Sequence, residues 1–128
     1  MTRQERSGWR DEWISRKHRE WGSSLGLVDI DWLVIEYSEK TPKAIIDYKN
    51  SAIKEINLNE SIYVVQRKLG DMAGLPAFIV WYSKDPIWFK ILPLNSFAKN
   101  YIGRPCFEMT EEEYVAFLFE IRGRQNCI

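Results

Sequence analysis

The sequence predicts one α+β domain in which a mixed β-sheet is flanked by helices. Two observations predict it. Runs of branched and aromatic residues typical of strands alternate with segments whose apolar residues recur at helical spacing. The elements also follow one another closely, with no repeat, low-complexity tract or linker-like stretch in the 128 residues. The predicted order is α-β-β-(β)-α-β-β-α.

Residues from about Arg3 to Trp21 read as an amphipathic helix with Trp9, Trp13, Ile14 and Trp21 on one broad face. Gly22 and the Ser23-Ser24 pair end it. VDIDWLVIEY is a strand, SEKTP a turn and KAIIDYKN a second strand, together an antiparallel hairpin. A third short strand is expected around Ala52–Leu58. A second helix follows from Asn59 and Glu60 to about Ala73, with an apolar stripe of Ile62, Val65, Leu69, Met72 and Ala73. Gly74 and Pro76 stop it. PAFIVWYS reads as a buried strand, KDP as a turn and IWFKILPL as its hairpin partner. Thr110 and Glu113 stand at capping-box spacing ahead of a last helix, EEEYVAFLFEIRG.

Composition narrows the function classes. Apolar residues make up 45% and charged residues 28%, a globular balance. No apolar run approaches the roughly 18–20 residues of a membrane span. The opening MTRQERSGWRDEW is charged and lacks an apolar core, so no secretory signal and a reducing, cytoplasmic setting are expected. Cys106 and Cys127 are too few for a disulfide scaffold, and Cys106 has no nearby base. A single histidine, His18, excludes polyhistidine zinc sites. The 18 basic and 18 acidic residues cancel, but Arg3, Arg6, Arg10, Arg16, Lys17 and Arg19 crowd the first helix, with Arg122 and Arg124 near the other end. That clustering suits a local phosphate-binding surface and equally a solvated helix face.

The first hairpin carries the chemistry. Asp29 and Asp31 are two apart at the start of one strand and so point to one face; Asp47 and Lys49 do the same near the end of the next. A turn centred near Lys40 sets Asp47 opposite about Leu33, and Lys49 opposite Asp31. Clustered carboxylates repel one another unless a cation joins them. Mg²⁺ or Mn²⁺ prefers such oxygen ligands, and the backbone carbonyl of Tyr48 can add one more. The metal would acidify a water, with Lys49 orienting it or countering charge on the phosphate. An Asp-x-Lys triplet also arises as a plain surface ion pair; a second Asp, Asp31 on the other strand, placed to meet it, favours the catalytic reading.

Asp31 followed by AIIDYKNS, with Asp47-x-Lys49, resembles the PD-(D/E)xK nuclease superfamily. This group includes archaeal Holliday-junction resolvases, RecB-type nuclease domains and many restriction enzymes. The resemblance covers about residues 9–83, with Ile30 where the motif has proline. It implies a restriction-endonuclease-like αβββαβ core, here with an extra C-terminal hairpin strand and helix. It also implies a Glu on the first helix at the metal site, where the helical wheel favours Glu20 over Glu12, and a Gln or Lys on the following helix, where Gln66 flanks the stripe. The implied activity is Mg²⁺-dependent hydrolysis of DNA, by a small chain that can act as a homodimer and serve a phage or mobile element. The alternatives are an inactive nuclease-fold module that binds nucleic acid or protein, and an unrelated α+β interaction domain. Trp81, Tyr82, Trp88 and Phe89 read as core and lid packing, or as a surface for stacking unpaired bases. His18 reads as structural, with phosphate contact as the alternative.

Overall fold

A computed structural model of the chain describes residues 12–22, 30–103 and 107–123. In chain order they form α1 (Glu12–Trp21), β1 (Trp32–Glu36), β2 (Thr41–Asn50), α2 (Ser61–Ala73), β3 (Ala77–Lys84), β4 (Ile87–Pro93), α3 (Ser96–Lys99), β5 (Phe107–Met109) and α4 (Glu111–Arg122). The strands make one five-stranded sheet in the order β1-β2-β3-β4-β5. β2 and β3 run parallel and are connected through α2, whereas the other neighbouring pairs are antiparallel. The fold is thus the mixed-sheet α+β class that the sequence predicts.

The parallel pair is the centre of the molecule. Residues 44–47 and 77–81 are all buried, as expected for strands covered on both faces. Strand alternation sorts their side chains. Ala44, Ile46, Phe78, Val80 and Ile91 face Tyr114, Phe117 and Ile121 of α4. Ile79 and Trp81 face Tyr63 of α2, with Ile62, Leu92 and Trp88 packed around them. The second face is thinner, and it holds the candidate site.

The helix ends follow their predicted chemistry. Gly74 and Gly123 close α2 and α4 in the left-handed conformation, at φ 73° and 85°. Thr110 and Glu113 form the capping box of α4. Buried Asn95 accepts from the N–H of Ala98 at 2.9 Å and of Ala77 at 3.2 Å, and donates to the carbonyl of Leu75 at 2.9 Å. It thereby ties the starts of α3 and β3 together.

Three expectations are corrected. The third strand around Ala52–Leu58 does not form; the segment is irregular. Asn50 turns the chain away by accepting from the N–H of Ala52 through its side chain and from that of Ile53 through its carbonyl. β2 already has β1 and β3 on its two edges, so no slot remains. The strand missing from the αβββαβ pattern is offset at the opposite edge by β5, which, like α3, is too short to show a period. Second, α2 is rotated from its expected stripe. Tyr63, Gln66 and Gly70 are buried, Ile62 is half-buried, and Val65, Leu69, Met72 and Ala73 are exposed. A Cβ on Gly70 would lie 2.7 Å from the Asn95 amide nitrogen and 2.8 Å from the Leu75 carbonyl oxygen. Only glycine lets the helix approach this closely. Third, the apolar face of α1 is not buried, since Trp13 and Trp21 are each 56% exposed. The expected helical start at Arg3, Trp9 and the strand residues before Ile30 lie outside the described residues.

Candidate functional site

The hairpin register decides which hairpin side chains meet. The turn occupies Tyr37–Lys40, with Lys40 at φ 57° and its N–H bonded to the Tyr37 carbonyl at 3.3 Å. Pairing begins with Glu36–Thr41 and Ile35–Pro42, then jumps to Val34–Ala44, leaving Lys43 as the extra residue of a bulge. Without the bulge, that turn would align Asp31 with Ile46. With it, Trp32 pairs with Ile46 and the ladder ends there; Asp31 stands one residue before β1, outside the paired residues. The expected register, Lys49 opposite Asp31 and Asp47 opposite Leu33, is therefore corrected by two residues, because the turn closes nearer Ser38 and Glu39. A two-residue shift preserves the alternation of faces along the hairpin, and Asp31 is near enough for its charge to help raise the pKa of Lys49. Asp29 lies outside the described residues.

Among the described residues, the ladder leaves the end of β2 unpaired on its β1 side. The N–H groups of Ile45 and Ser51 donate to the carbonyls of Pro76 and Tyr82, at 3.0 and 2.9 Å. Odd-numbered residues of β2 therefore address β3, and even-numbered ones address β1. The β1 ladder stops at Trp32–Ile46, so the Tyr48 carbonyl turns toward the end where Asp31 stands. The Tyr48 side chain lies on the opposite face, its Oη 2.7 Å from that of Tyr114. Burial raises the pKa of Tyr48, with the hydrogen bond from Tyr114 acting against it. Burial raises that of Tyr114 as well, and there the Tyr48 hydroxyl adds to the effect.

Asp47 is 1% exposed. Its Oδ2 accepts from Nε2 of the fully buried Gln66 at 3.4 Å, and its Oδ1 lies 3.6 Å from the Lys49 ammonium. Neither Asp47 Oδ1 nor Gln66 Oε1 has a hydrogen-bond partner among the described residues. Gln66 Oε1 thus has no donor there, and Asp47 Oδ1 has only the ion pair with Lys49, which leaves room for a further donor or cation. Lys49 is 20% exposed, with Nζ 5.1 Å from the centre of the Tyr63 ring. Burial works against its charge, but Tyr63, Asp47 and Asp31 outweigh that and leave its pKa raised. These neighbours favour the charged form of Lys49.

The structure thus brings Asp31, Asp47, Lys49, Gln66 and the Tyr48 carbonyl to one end of the hairpin. It does not bring Glu20 there. Glu20 is exposed and pairs with Lys17 one turn earlier, at 3.5 Å, because α1 does not seat its face on the sheet; Glu12 is exposed too. Tyr63 was not singled out in the sequence. Its spacing with Gln66 and Gly70 marks one helix face, which a search for apolar residues alone passes over. His18 stays within α1, edge-on to Trp21 with ring centres 4.9 Å apart.

The donor set fits a hard divalent cation of the Mg²⁺ type, which commonly takes one or two carboxylates and completes its shell with water and phosphate. Among the described residues, no three His, Cys, Asp or Glu side chains gather into a self-contained metal cage, and none of their helices is long and apolar enough to cross a membrane. In comparisons with known proteins, the chain matches no family model, no curated protein and no solved structure.

Proposed function

We propose that the protein is a metal-dependent DNA nuclease. The observation carrying this reading is a buried carboxylate, Asp47, whose Oδ1 has no hydrogen-bond partner among the described residues and lies 3.6 Å from the Lys49 ammonium, with a second carboxylate, Asp31, whose charge also acts on Lys49. Asp31, Asp47 and the Tyr48 carbonyl would hold Mg²⁺ or Mn²⁺. Such an ion supplies a water of lowered pKa and counters charge at a bound phosphate. Gln66 holds Asp47 from behind through its amide. Lys49, kept charged by Tyr63 and the two carboxylates, donates to the attacking water or to the phosphate oxygen on which charge develops. Exposed Arg16 and Arg19 of α1 offer contacts to the phosphate backbone, and a homodimer would supply the reach a duplex needs.

The test is cleavage of single-stranded, duplex and branched DNA with Mg²⁺ or Mn²⁺ and with EDTA. Metal-dependent cutting should fall by roughly 10²–10⁴-fold in Asp47→Asn and Lys49→Ala. Undiminished cutting in both variants, or none by the unaltered chain on any substrate, overturns the proposal.

A further inference from the structure

We propose that the cavity next to Lys49 on the α2-covered face takes one unpaired base, so that the preferred substrate carries a single-stranded segment. This deepens the nuclease reading, on which its setting rests, by naming a substrate class. The cavity has a volume of about 300 Å³ and is lined by Ser51, Ile53, Lys54, Trp81, Trp88 and Lys90. That volume lies at the low end for small-ligand sites and accommodates a single base.

Its position follows from the register. Lys49 pairs with Trp81, and Trp81 with Lys90. The three form one row across β2, β3 and β4, an indole between two lysines whose strands lie roughly 10 Å apart. The cavity therefore opens one strand away from Lys49. Trp81 donates its Nε1–H to the Ile53 carbonyl at 2.9 Å. This bond holds the 51–54 loop at the rim and uses up the indole's only donor, so the largely buried Trp81 contributes an apolar floor and the more exposed Trp88 the stacking face. Trp88 is half-buried, and the Lys90 ammonium lies 5.5 Å from its ring centre.

Aromatic walls with two cationic stems, and no carboxylate among the described lining residues, suit a planar group flanked by phosphates. Stacking of this kind accepts any base, whereas a base in an intact duplex is already stacked on both sides.

The experiment is fluorescence anisotropy with a labelled single-stranded oligonucleotide and its duplex, both in EDTA so that nothing is cut. An acidic peptide serves as competitor. The single strand should bind more tightly than the duplex and resist the peptide. Trp88→Ala should weaken it roughly ten- to a hundredfold, while Trp88→Phe, which keeps an aromatic ring, should retain most of the affinity and guards against a folding defect. Lys54→Ala with Lys90→Ala should reduce the slope of log affinity against log salt by about 1.4.

Unchanged binding in folded Trp88→Ala, equal affinity for duplex, or ready displacement by the peptide overturns the inference. The two readings separate cleanly. If Trp88→Ala binds normally while the unaltered protein cuts DNA with Mg²⁺, the cavity assignment alone fails. If the strand binds through Trp88 and nothing is cut with any metal, the nuclease reading alone fails.

Discussion

Asp47 is the residue with the least ordinary surroundings. A carboxylate 1% exposed, held by one long amide contact and an ion pair at 3.6 Å, is an expensive group to fold around. If it is kept for a ligand, removing its charge should leave the metal-free fold intact. Asp47→Asn in EDTA should melt within about 1 kcal/mol of the unaltered protein or above it, as measured by thermal unfolding. A loss of about 3–5 kcal/mol would mark the pair as structural. A second residue-scale prediction concerns alkali. Lys49, Tyr48 and Tyr114 all have raised pKa values in the fold, against ordinary values of 10.5 for lysine and 10.0 for tyrosine. The folded chain therefore holds protons that the unfolded chain releases. Their contribution is complete below about pH 10 and drains away above it. Denaturant unfolding from pH 8 to 11 should show stability falling above pH 10, with a shallower fall in Tyr48→Phe.

At the scale of elements, the site depends on how closely α2 lies against the sheet. Gly70→Ala would drive a methyl group against the Leu75 carbonyl and the Asn95 amide. It should destabilise by about 1–3 kcal/mol and lift Gln66 from Asp47, lowering metal affinity as well; a change in neither would show that the close approach is not required. Thr110→Ala, which removes the α4 cap on the far side of the sheet, should destabilise by about 1 kcal/mol with metal affinity unchanged. What the sequence made legible at this scale follows the same physics. The strands KAIIDYKN and PAFIVWYS, the stop at Gly74 and the capping box all carry strong local signals and are found. The inward face of α2 departs from its apolar stripe because it uses Gln66 and Gly70, which hydrophobic patterning does not count. That Asp47 and Lys49 share a face of β2 is readable from strand alternation; Asp31 stands just before β1, where alternation does not reach. The hairpin register is not readable, since it depends on a turn and a bulge whose positions local composition leaves open.

For the whole molecule, formal neutrality means that any hold on DNA must come from local groupings rather than from an overall field. Exposed Arg16 and Arg19 of α1 are one such grouping. Replacing both with alanine should weaken duplex binding alike across sequences and flatten the salt dependence by about 1.8 in log–log slope. An unchanged slope would remove α1 from the interface. The central claim is narrower: Asp31 and Asp47 hold a divalent cation beside Lys49. Calorimetric titration with Mn²⁺ tests it most directly. The account predicts one site per chain, lost in Asp47→Asn and weakened in Asp31→Asn; no binding, or equal binding by all three proteins, would contradict it.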